Sequence, residues 1–237
     1  FIICIIGIFL IKVLKKLNLK KVVLETLEKF FYLTFFSLLI TGVLTQVFKH
    51  LFGRTRPNHL DEGQIFSSFN FFTLDSGLHS FPSGHTSTIF LIAFSLSFLI
   101  PKLKFSLYVF ALIIAFSRVV VGAHFVSDII AGSLVAIILY KVFLSLVEKR
   151  YPNVSAKNFE IKNTSLLLKT NIIFLILCIF VTVGYDFDIF LSSLFYFGDG
   201  QFFLQSYDIL SIVFRDILLP FLIIYVFVLP IIAIFFP

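Results

Sequence analysis

His124 and Asp128 are the residues whose types and spacing most clearly predict chemistry, because they lie four positions apart shortly after Ser117-Arg118. If this stretch is helical, the two side chains share a face one turn apart, and the carboxylate accepts a hydrogen bond from one imidazole nitrogen. That bond fixes the tautomer and leaves the other nitrogen of His124 as a nucleophile. Arg118 carries a planar fork of donors suited to phosphate oxygens. The stretch therefore predicts a nucleophilic histidine beside a phosphoryl group.

A second polar motif, Pro82-Ser83-Gly84-His85, stands directly before an apolar run. Proline near a helix start, followed by Ser83 and Gly84, exposes backbone N–H groups at the positive end of the helix dipole, where anions bind. Gly84 lets an anion approach the backbone closely. His85 is then placed to deliver a proton to a leaving alkoxide.

The third motif, Lys49 with Arg56-Pro57, follows an apolar run and supplies two more cations. With Arg118 they form a cradle for a phosphoryl group, whose transition state carries negative charge on its equatorial oxygens. Taken singly, a Lys or Arg at a helix end is usually a snorkelling anchor, and a Pro-Ser-Gly stretch is usually a turn. The three motifs together carry the prediction.

The composition predicts a membrane protein. The chain has 237 residues, is 59% hydrophobic and has a mean hydropathy of +1.06, whereas soluble domains are about 45–50% apolar. The net charge of +6 resides on Lys and Arg between apolar runs, which is typical of topology signals, and no nucleic-acid-binding signature is present. Cys4 and Cys178 lie in apolar runs without CxxC spacing, so we expect buried thiols rather than a disulfide or thiolate metal site.

The apolar runs predict an all-α, polytopic membrane bundle of about six helices. The first run is short for a span, and the chain starts at Phe1 and contains no Met, so we expect this helix to be truncated. The predicted helices cover about 1–14, 30–48, 86–100, 105–122, 125–147, 166–184 and 209 to the end.

The basic residues predict one orientation for this bundle. Segments 15–29, 101–104 and 141–170 carry most of the Lys and Arg and are expected in the cytoplasm. The opposite face then receives segments 49–85 and 119–125 and the acidic segment 185–208. All three motifs thus fall at the non-cytoplasmic face, which predicts an active site there.

Lys-x6-Arg-Pro, Pro-Ser-Gly-His and Ser-Arg-x5-His-x3-Asp together resemble the signature of the type 2 phosphatidic acid phosphatase superfamily. The resemblance implies that His124 is the nucleophile and forms a phosphohistidine, that Asp128 orients it, and that His85 is the general acid. It also implies catalysis without a metal or another cofactor. The phosphate would be held by Lys49, Arg56, Ser83, Gly84 and Arg118.

The local sequences Gly53–Pro57 and Leu78–Pro82 are similar to those of bacterial lipid phosphatases, including the enzymes that dephosphorylate lipid A. Arg54 and His79 are secondary candidates for phosphate contacts on this ground. The resemblance implies hydrolysis of a phosphate monoester or pyrophosphate on a membrane lipid within the bilayer, with no nucleic acid partner. Together with the outer-face placement it implies a bacterial inner membrane with the active site facing the periplasm. Lipid A, undecaprenyl pyrophosphate and phosphatidylglycerol phosphate are the candidate substrates.

Three alternatives share part of this pattern. A lipid phosphotransferase would use the same intermediate and differ only in the group that resolves it. An anion transporter would carry charges at mid-span and repeated broken helices, but the apolar runs here are nearly uncharged. A soluble vanadium haloperoxidase would share the anion cradle, but the spans count against it.

The chain is predicted to divide into a phosphatase core, 1–150, and a two-helix hairpin, 151–237, whose outer segment is acidic and aromatic. In lipid A phosphatase-like members a similar segment lies near the N-terminus, between the first and second helices. The hairpin therefore resembles the family's opening hairpin in permuted order. A tandem fusion and an unrelated extension are the alternatives, and a permuted hairpin requires 185–208 to lie close to His124.

Overall fold

A computed structural model describes residues 2–14, 21–59, 69–150, 185–198 and 201–202. They form six α-helices and a short antiparallel strand pair, which confirms the predicted all-α bundle. The helices are α1 (Ile2–Leu14), α2 (Lys21–Phe52), α3 (Gly84–Leu99), α4 (Lys104–Val120), α5 (Val126–Arg150) and α6 (Tyr185–Ser193); the strands are β1 (Tyr196–Gly198) and β2 (Gln201–Phe202). The predicted helices at 166–184 and from 209 onward lie outside the described residues.

Three of these helical stretches are long and apolar enough to cross a membrane, namely Leu24–Phe52, Pro101–Val120 and Val126–Arg150. This agrees with an integral membrane protein. α3 has only 16 residues, but ten of them are buried, because it packs against α2, α4 and α5 in the middle of the bundle. The central position of α3 places its first residues, Gly84 and His85, in the middle of one end of the bundle.

The predicted start of α2 was wrong, since the helix begins at Lys21 and includes much of the segment expected to be a connection. Lys, Glu and Leu are strong helix formers, so the charges mark the membrane boundary without ending the helix. At 1.5 Å per residue its 32 residues extend roughly 48 Å, beyond a hydrocarbon layer of about 30 Å. Lys29, expected in a cytoplasmic loop, is instead buried, with its Nζ 3.7 Å from Glu148 and 5.0 Å from the Phe98 ring centroid.

Two apolar clusters hold the helices together. One joins α1, α2 and α3, and includes the buried thiol of Cys4. The other joins α2, α3 and α5 through residues such as Leu33, Leu91 and Ala136. α5 approaches α3 most closely at Gly132, where an added Cβ would lie 2.5 Å from the Ser83 carbonyl oxygen. Glycine at this position therefore sets the distance between α5 and the start of α3.

α4 ends in a glycine turn that reverses the chain into α5. Gly122 has φ +67°, in the left-handed region that glycine favours. The Gly122 N–H donates to Val119 O at 2.9 Å, and the Ala123 N–H donates to Arg118 O at 3.0 Å, which is the Schellman pattern of helix termination. This turn brings the chain back over the end of α4 immediately before His124.

Candidate active site

The three motifs meet at one end of the bundle, where α2 and α4 end and α3 and α5 begin. Backbone hydrogen bonds connect each motif to the other two. Ser80 N–H donates to Arg54 O at 2.9 Å, Asn58 N–H donates to Gly122 O at 3.0 Å, and Ser83 N–H donates to Asp128 O at 3.0 Å. The relative placement of the motifs is therefore set by the main chain as well as by side-chain contacts.

His124 lies in the turn before α5 and is only 1% exposed. Its Nδ1 is 3.5 Å from Asp128 Oδ2 and 3.5 Å from Ser80 Oγ. His124 lies before the helix, in agreement with the predicted helix start at about 125, because α5 starts at Val126, after the glycine turn. The pair forms across the helix start, with Asp128 in the first turn of α5.

The Asp128 carboxylate is fully buried and is held by several donors. Arg54 Nη1 donates to Oδ1 at 2.7 Å. Ser80 Oγ donates to Oδ2 at 2.5 Å, and the Phe125 N–H donates to Oδ2 at 2.9 Å. The contact with Phe125 is the reach-back of a capping box, in which a carboxylate in the first turn satisfies a backbone N–H preceding the helix. These bonds fix the carboxylate in one orientation toward the His124 ring.

Burial is the main influence on His124, and it lowers the pKa of the imidazole from its usual value. Asp128 opposes this effect, whereas the nearby charges of Lys49 and Arg118 lower the pKa further. A histidine with a lowered pKa is neutral at neutral pH. Neutral imidazole is the nucleophilic form, so the surroundings of His124 favour the state that can attack an electrophile.

Three side chains of the motifs form a group of cations around the start of α3. Lys49 lies in the last turn of α2, and its Nζ is 3.9 Å from the position that a Cβ on Gly84 would take. His85 is exposed in the first turn of α3. The charges of Lys49, Arg56 and Arg118 all act on His85. This concentration of positive charge suits an oxyanion of phosphate.

The start of α3 supplies backbone donors beside these cations. The Ser83 hydroxyl is fully buried and acts as the N-cap, accepting from the Thr86 N–H at 3.4 Å and from Thr86 Oγ1 at 3.0 Å. The first N–H groups of a helix have no partner within the helix and point toward an anion. Gly84 leaves room for such an approach.

Arg54 and His79, the secondary candidates for phosphate contacts, both contact other groups of the protein. Arg54 is 1% exposed, and its two terminal nitrogens bind Asp128 at 2.7 Å and Asp188 at 2.8 Å. Because both nitrogens are bonded to carboxylates, Arg54 supports the site from behind. His79 Nε2 is 3.2 Å from Thr73 O, and its ring centroid is 4.4 Å from that of His50.

A sequence model of the PAP2 superfamily matches residues 31–152, which make up more than half of the chain and contain all three motifs. The chain belongs to the PAP2 superfamily. The family predicted from the three motifs is thereby confirmed.

Two curated relatives of this PAP2 member carry the name Lipid A 1-phosphatase. One, from Rhizobium johnstonii, is 40% identical over 100 residues, which cover 41% of this chain and 40% of the relative. The other, from Rhizobium etli, is 38% identical over 100 residues, which cover 41% of this chain and 42% of the relative. The chain thus matches about two fifths of the length of these curated relatives. No solved structure matches it significantly.

Three residues of the PAP2 site escaped the sequence-based prediction: Ser80, Ser127 and Asp188. Ser80 and Ser127 are fully buried, and each bonds to a carboxylate of the site. Asp188 lies outside the region matched by the family, so the family pattern gave no signal for it. Its sequence signal was an acid between apolar residues, in the segment Tyr185–Phe190.

Carboxylates and cations occupy different sides of the group of motif residues in this PAP2 member. Across residues 2–14, 21–59, 69–150, 185–198 and 201–202, no three or more His, Cys, Asp or Glu side chains are grouped to hold a metal ion. Asp128 and Asp188 are the two carboxylates that bond to Arg54 behind the site. The guanidinium offsets one of the two negative charges.

Proposed function

We propose that this PAP2 member is a lipid phosphatase, which hydrolyses a phosphate monoester or pyrophosphate on a membrane lipid. One observation carries the proposal: a buried neutral histidine, His124, is oriented by a fixed carboxylate beside the cations Lys49, Arg56 and Arg118. Phosphoryl transfer depends mainly on placement and electrostatic stabilisation, and this arrangement supplies both.

In the proposed first step, His124 Nε2 attacks phosphorus while its Nδ1–H faces Asp128. A bond forms between Nε2 and phosphorus, the bond from phosphorus to the lipid oxygen breaks, and His85 donates a proton to that oxygen. In the second step His85 removes a proton from water, and the water oxygen attacks the phosphohistidine. Inorganic phosphate leaves, and both histidines return to their starting states.

Catalysis is proposed to need no metal, because the protein supplies the positive charge itself. Lys49, Arg56 and Arg118 surround the site from α2, the loop after it, and α4. Together with the backbone N–H groups at Gly84 and His85, they offset negative charge on the equatorial oxygens in the transition state. In other phosphoryl-transfer enzymes this role falls to a divalent cation.

The substrate is proposed to be a lipid of the lipid A class. The name of the two Rhizobium relatives supports this choice, although the match covers only about two fifths of their length. Undecaprenyl pyrophosphate and phosphatidylglycerol phosphate present the same phosphoryl chemistry at a membrane surface. Phosphate release from each of these lipids, measured in parallel in mixed micelles, identifies the preferred class.

The protein is proposed to lie in a bacterial inner membrane with its active site facing the periplasm. The positive-inside rule supports this orientation. The end of the bundle opposite the site carries the basic residues Lys21, Lys102, Lys104, Lys149 and Arg150.

The test of the proposed function is His124→Ala, with His59→Ala as its control. His59 is an exposed histidine at the same end of the bundle. We expect His124→Ala to lower phosphate release from a lipid phosphate by about 1,000-fold or more, and His59→Ala to leave it unchanged. Wild-type activity is expected to survive EDTA. Full activity in a folded His124→Ala protein would refute the nucleophile, and loss in EDTA that Mg²⁺ restores would refute the metal-free mechanism.

A further inference from the structure

Asp188 reaches the catalytic end of the bundle from α6, although it follows Asp128 by 60 residues and lies outside the region matched by the family. The side chain is 1% exposed. Its Oδ2 accepts a hydrogen bond from Arg54 Nη2 at 2.8 Å, and its Oδ1 accepts from the Ser127 N–H at 3.1 Å. The Ser127 hydroxyl also donates to Oδ2. A buried carboxylate with these partners is built into the site.

Arg54 joins this carboxylate to the one beside the nucleophile. Nη1 binds Asp128 at 2.7 Å while Nη2 binds Asp188 at 2.8 Å, so each end of the guanidinium fork holds a different carboxylate. The Phe125 ring centroid is 4.1 Å from Arg54 Cζ, which closes one face of the plane. Burial disfavours the charged form, but Asp128 and Asp188 outweigh it and raise the pKa of Arg54.

The charges of this group do not balance. One guanidinium between two carboxylates (+1 and −2) leaves one net negative charge buried behind His124. That charge favours positive charge on the imidazole, which develops as His124 attacks phosphorus. Without Asp188, Arg54 and Asp128 would form a neutral pair, and this negative charge would disappear.

We propose that Asp188 is a positioning residue for the nucleophile. Asp188 binds Arg54 Nη2, and Arg54 Nη1 in turn binds Asp128 Oδ1. The other oxygen of Asp128, Oδ2, is then directed at His124 and Ser80. Asp188 reaches His124 only through Arg54 and Asp128. α6 is therefore part of the active site. The inference rests on the proposed function to the extent that His124 is the attacking group.

Asp188→Asn tests the orientation of His124 separately from phosphate binding, because the substitution removes the charge of Asp188 and keeps its side-chain volume. We expect kcat to fall about 10–100-fold, the range for loss of a partner that orients a catalytic ligand. KM is expected to stay within about twofold, since the phosphate-binding cations are unchanged. Asp75→Asn is the matched control, because it removes the same charge from an exposed position at the same end of the bundle, and the Asn oxygen can still accept from the Gly77 N–H. We expect its kcat to equal that of the wild type.

A second measurement does not depend on the lipid. Vanadate adopts the five-coordinate geometry of a phosphoryl group in transfer and bonds to the attacking nitrogen, whereas inorganic phosphate only fills the cradle. In the full chain purified in detergent, we expect Asp188→Asn to weaken vanadate binding about 10-fold and to leave inorganic phosphate binding unchanged. The melting temperature, measured on the same samples, reports folding.

The outcomes are distinct. Unchanged kcat and vanadate affinity in Asp188→Asn would overturn the inference, and so would an equal loss of vanadate and phosphate binding, which a merely structural role predicts. If Asp188→Asn does not fold, Ser127→Ala is the second variant, because it removes a hydroxyl bonded to Asp188 without changing any charge. A wild-type kcat in Ser127→Ala would also overturn the inference. A wild type that binds vanadate but releases no phosphate from any lipid would refute the proposed function alone.

Discussion

His124 is useful as a nucleophile only while its imidazole is neutral, so the pH dependence of the reaction reports its surroundings. Burial lowers the pKa of His124, the charges of Lys49 and Arg118 lower it further, and Asp128 opposes them. His85 and His124 also interact electrostatically, which lowers the pKa of His85. Because protonation removes the nucleophile, kcat/KM should fall on the acid side, with a midpoint below the usual histidine value of about 6.5.

A pH series of kcat/KM with a lipid phosphate measures this midpoint. On the acid side, activity should hold to a pH below about 6.5 and then decline as His124 becomes protonated. The His59→Ala protein is a suitable reference, because the His59 side chain is exposed and only its backbone N–H bonds to the motif residue Arg56. A midpoint well above about 6.5 would mean that the Asp128 carboxylate outweighs burial and raises the pKa of His124, which is the opposite of the expected shift.

The residues proposed to hold the phosphate could be named from the sequence because they lie in three short motifs, and the structure brings these motifs to one end of the bundle. The residues behind them were harder to predict. Asp188 meets Arg54 across 134 positions of sequence, and no periodicity or spacing encodes such a contact. Arg54 was predicted as a phosphate contact from its neighbours in sequence. A buried arginine between two carboxylates is only recognisable once the fold brings those carboxylates together.

At the scale of the helices, the approach of α5 to α3 determines the shape of the anion site. An Ala Cβ at position 132 would lie 2.5 Å from Ser83 O and 3.2 Å from Thr86 Cβ, in the turn that begins α3. We expect Gly132→Ala to destabilise the protein by about 1–3 kcal/mol, the usual cost of overpacking. Phosphate release should fall as well, because the N-cap residue Ser83 must shift. Thermal unfolding in detergent and an activity assay measure the two effects.

Gly42→Ala is the control for this substitution. Gly42 lies within α2, and nothing is found within 4 Å of the position of an added Cβ. Replacing an unconstrained helical glycine by alanine is neutral or stabilising by about 0.5–1 kcal/mol. If Gly132→Ala behaved like Gly42→Ala in both assays, α5 and α3 would not be held at the distance seen in the structure.

Helix existence was easier to predict than helix boundaries. The apolar runs predicted the existence of α2, α3, α4 and α5. The end of each apolar run was taken as the end of a helix, but α2 continues back to Lys21 through charged residues. The connection at His124 was predicted, because the expected helix began at about 125 and segment 119–125 was expected to join two helices. The pair forms without a shared helix, since Gly122 at φ +67° starts a turn that places His124 directly before α5.

At the scale of the whole molecule, the described part of 185–202 packs against the catalytic core. The Phe195 and Phe116 ring centroids are 5.7 Å apart, and a Cβ on Gly122 would lie 2.4 Å from the Phe202 ring. With Asp188 this gives three contacts at the end of the bundle that holds His124. Such proximity is what a permuted opening hairpin requires. The permutation itself stays a prediction, because 151–184 and 203–237 lie outside the described residues.

The orientation of the bundle in the membrane leads to the last prediction, which uses single cysteines in a Cys4→Ala/Cys178→Ala background. Leu74 is 85% exposed between α2 and α3, at the end that carries the motifs. Leu103 is 46% exposed at the opposite end, in the turn between α3 and α4. Neither substitution changes a charge that sets topology. A membrane-impermeant maleimide should label Leu74→Cys in intact spheroplasts, and Leu103→Cys only after permeabilisation.

This labelling pattern also constrains the substrate. A phosphohistidine enzyme acts on the lipid leaflet that its cations face, because the phosphate headgroup must enter the cradle formed by Lys49, Arg56 and Arg118 without crossing the hydrocarbon layer. Labelling of Leu74→Cys from outside therefore restricts the substrate to lipid phosphates of the periplasmic leaflet. The reverse pattern would place the site in the cytoplasm and would contradict the proposed orientation, while leaving the chemistry at His124 unchanged.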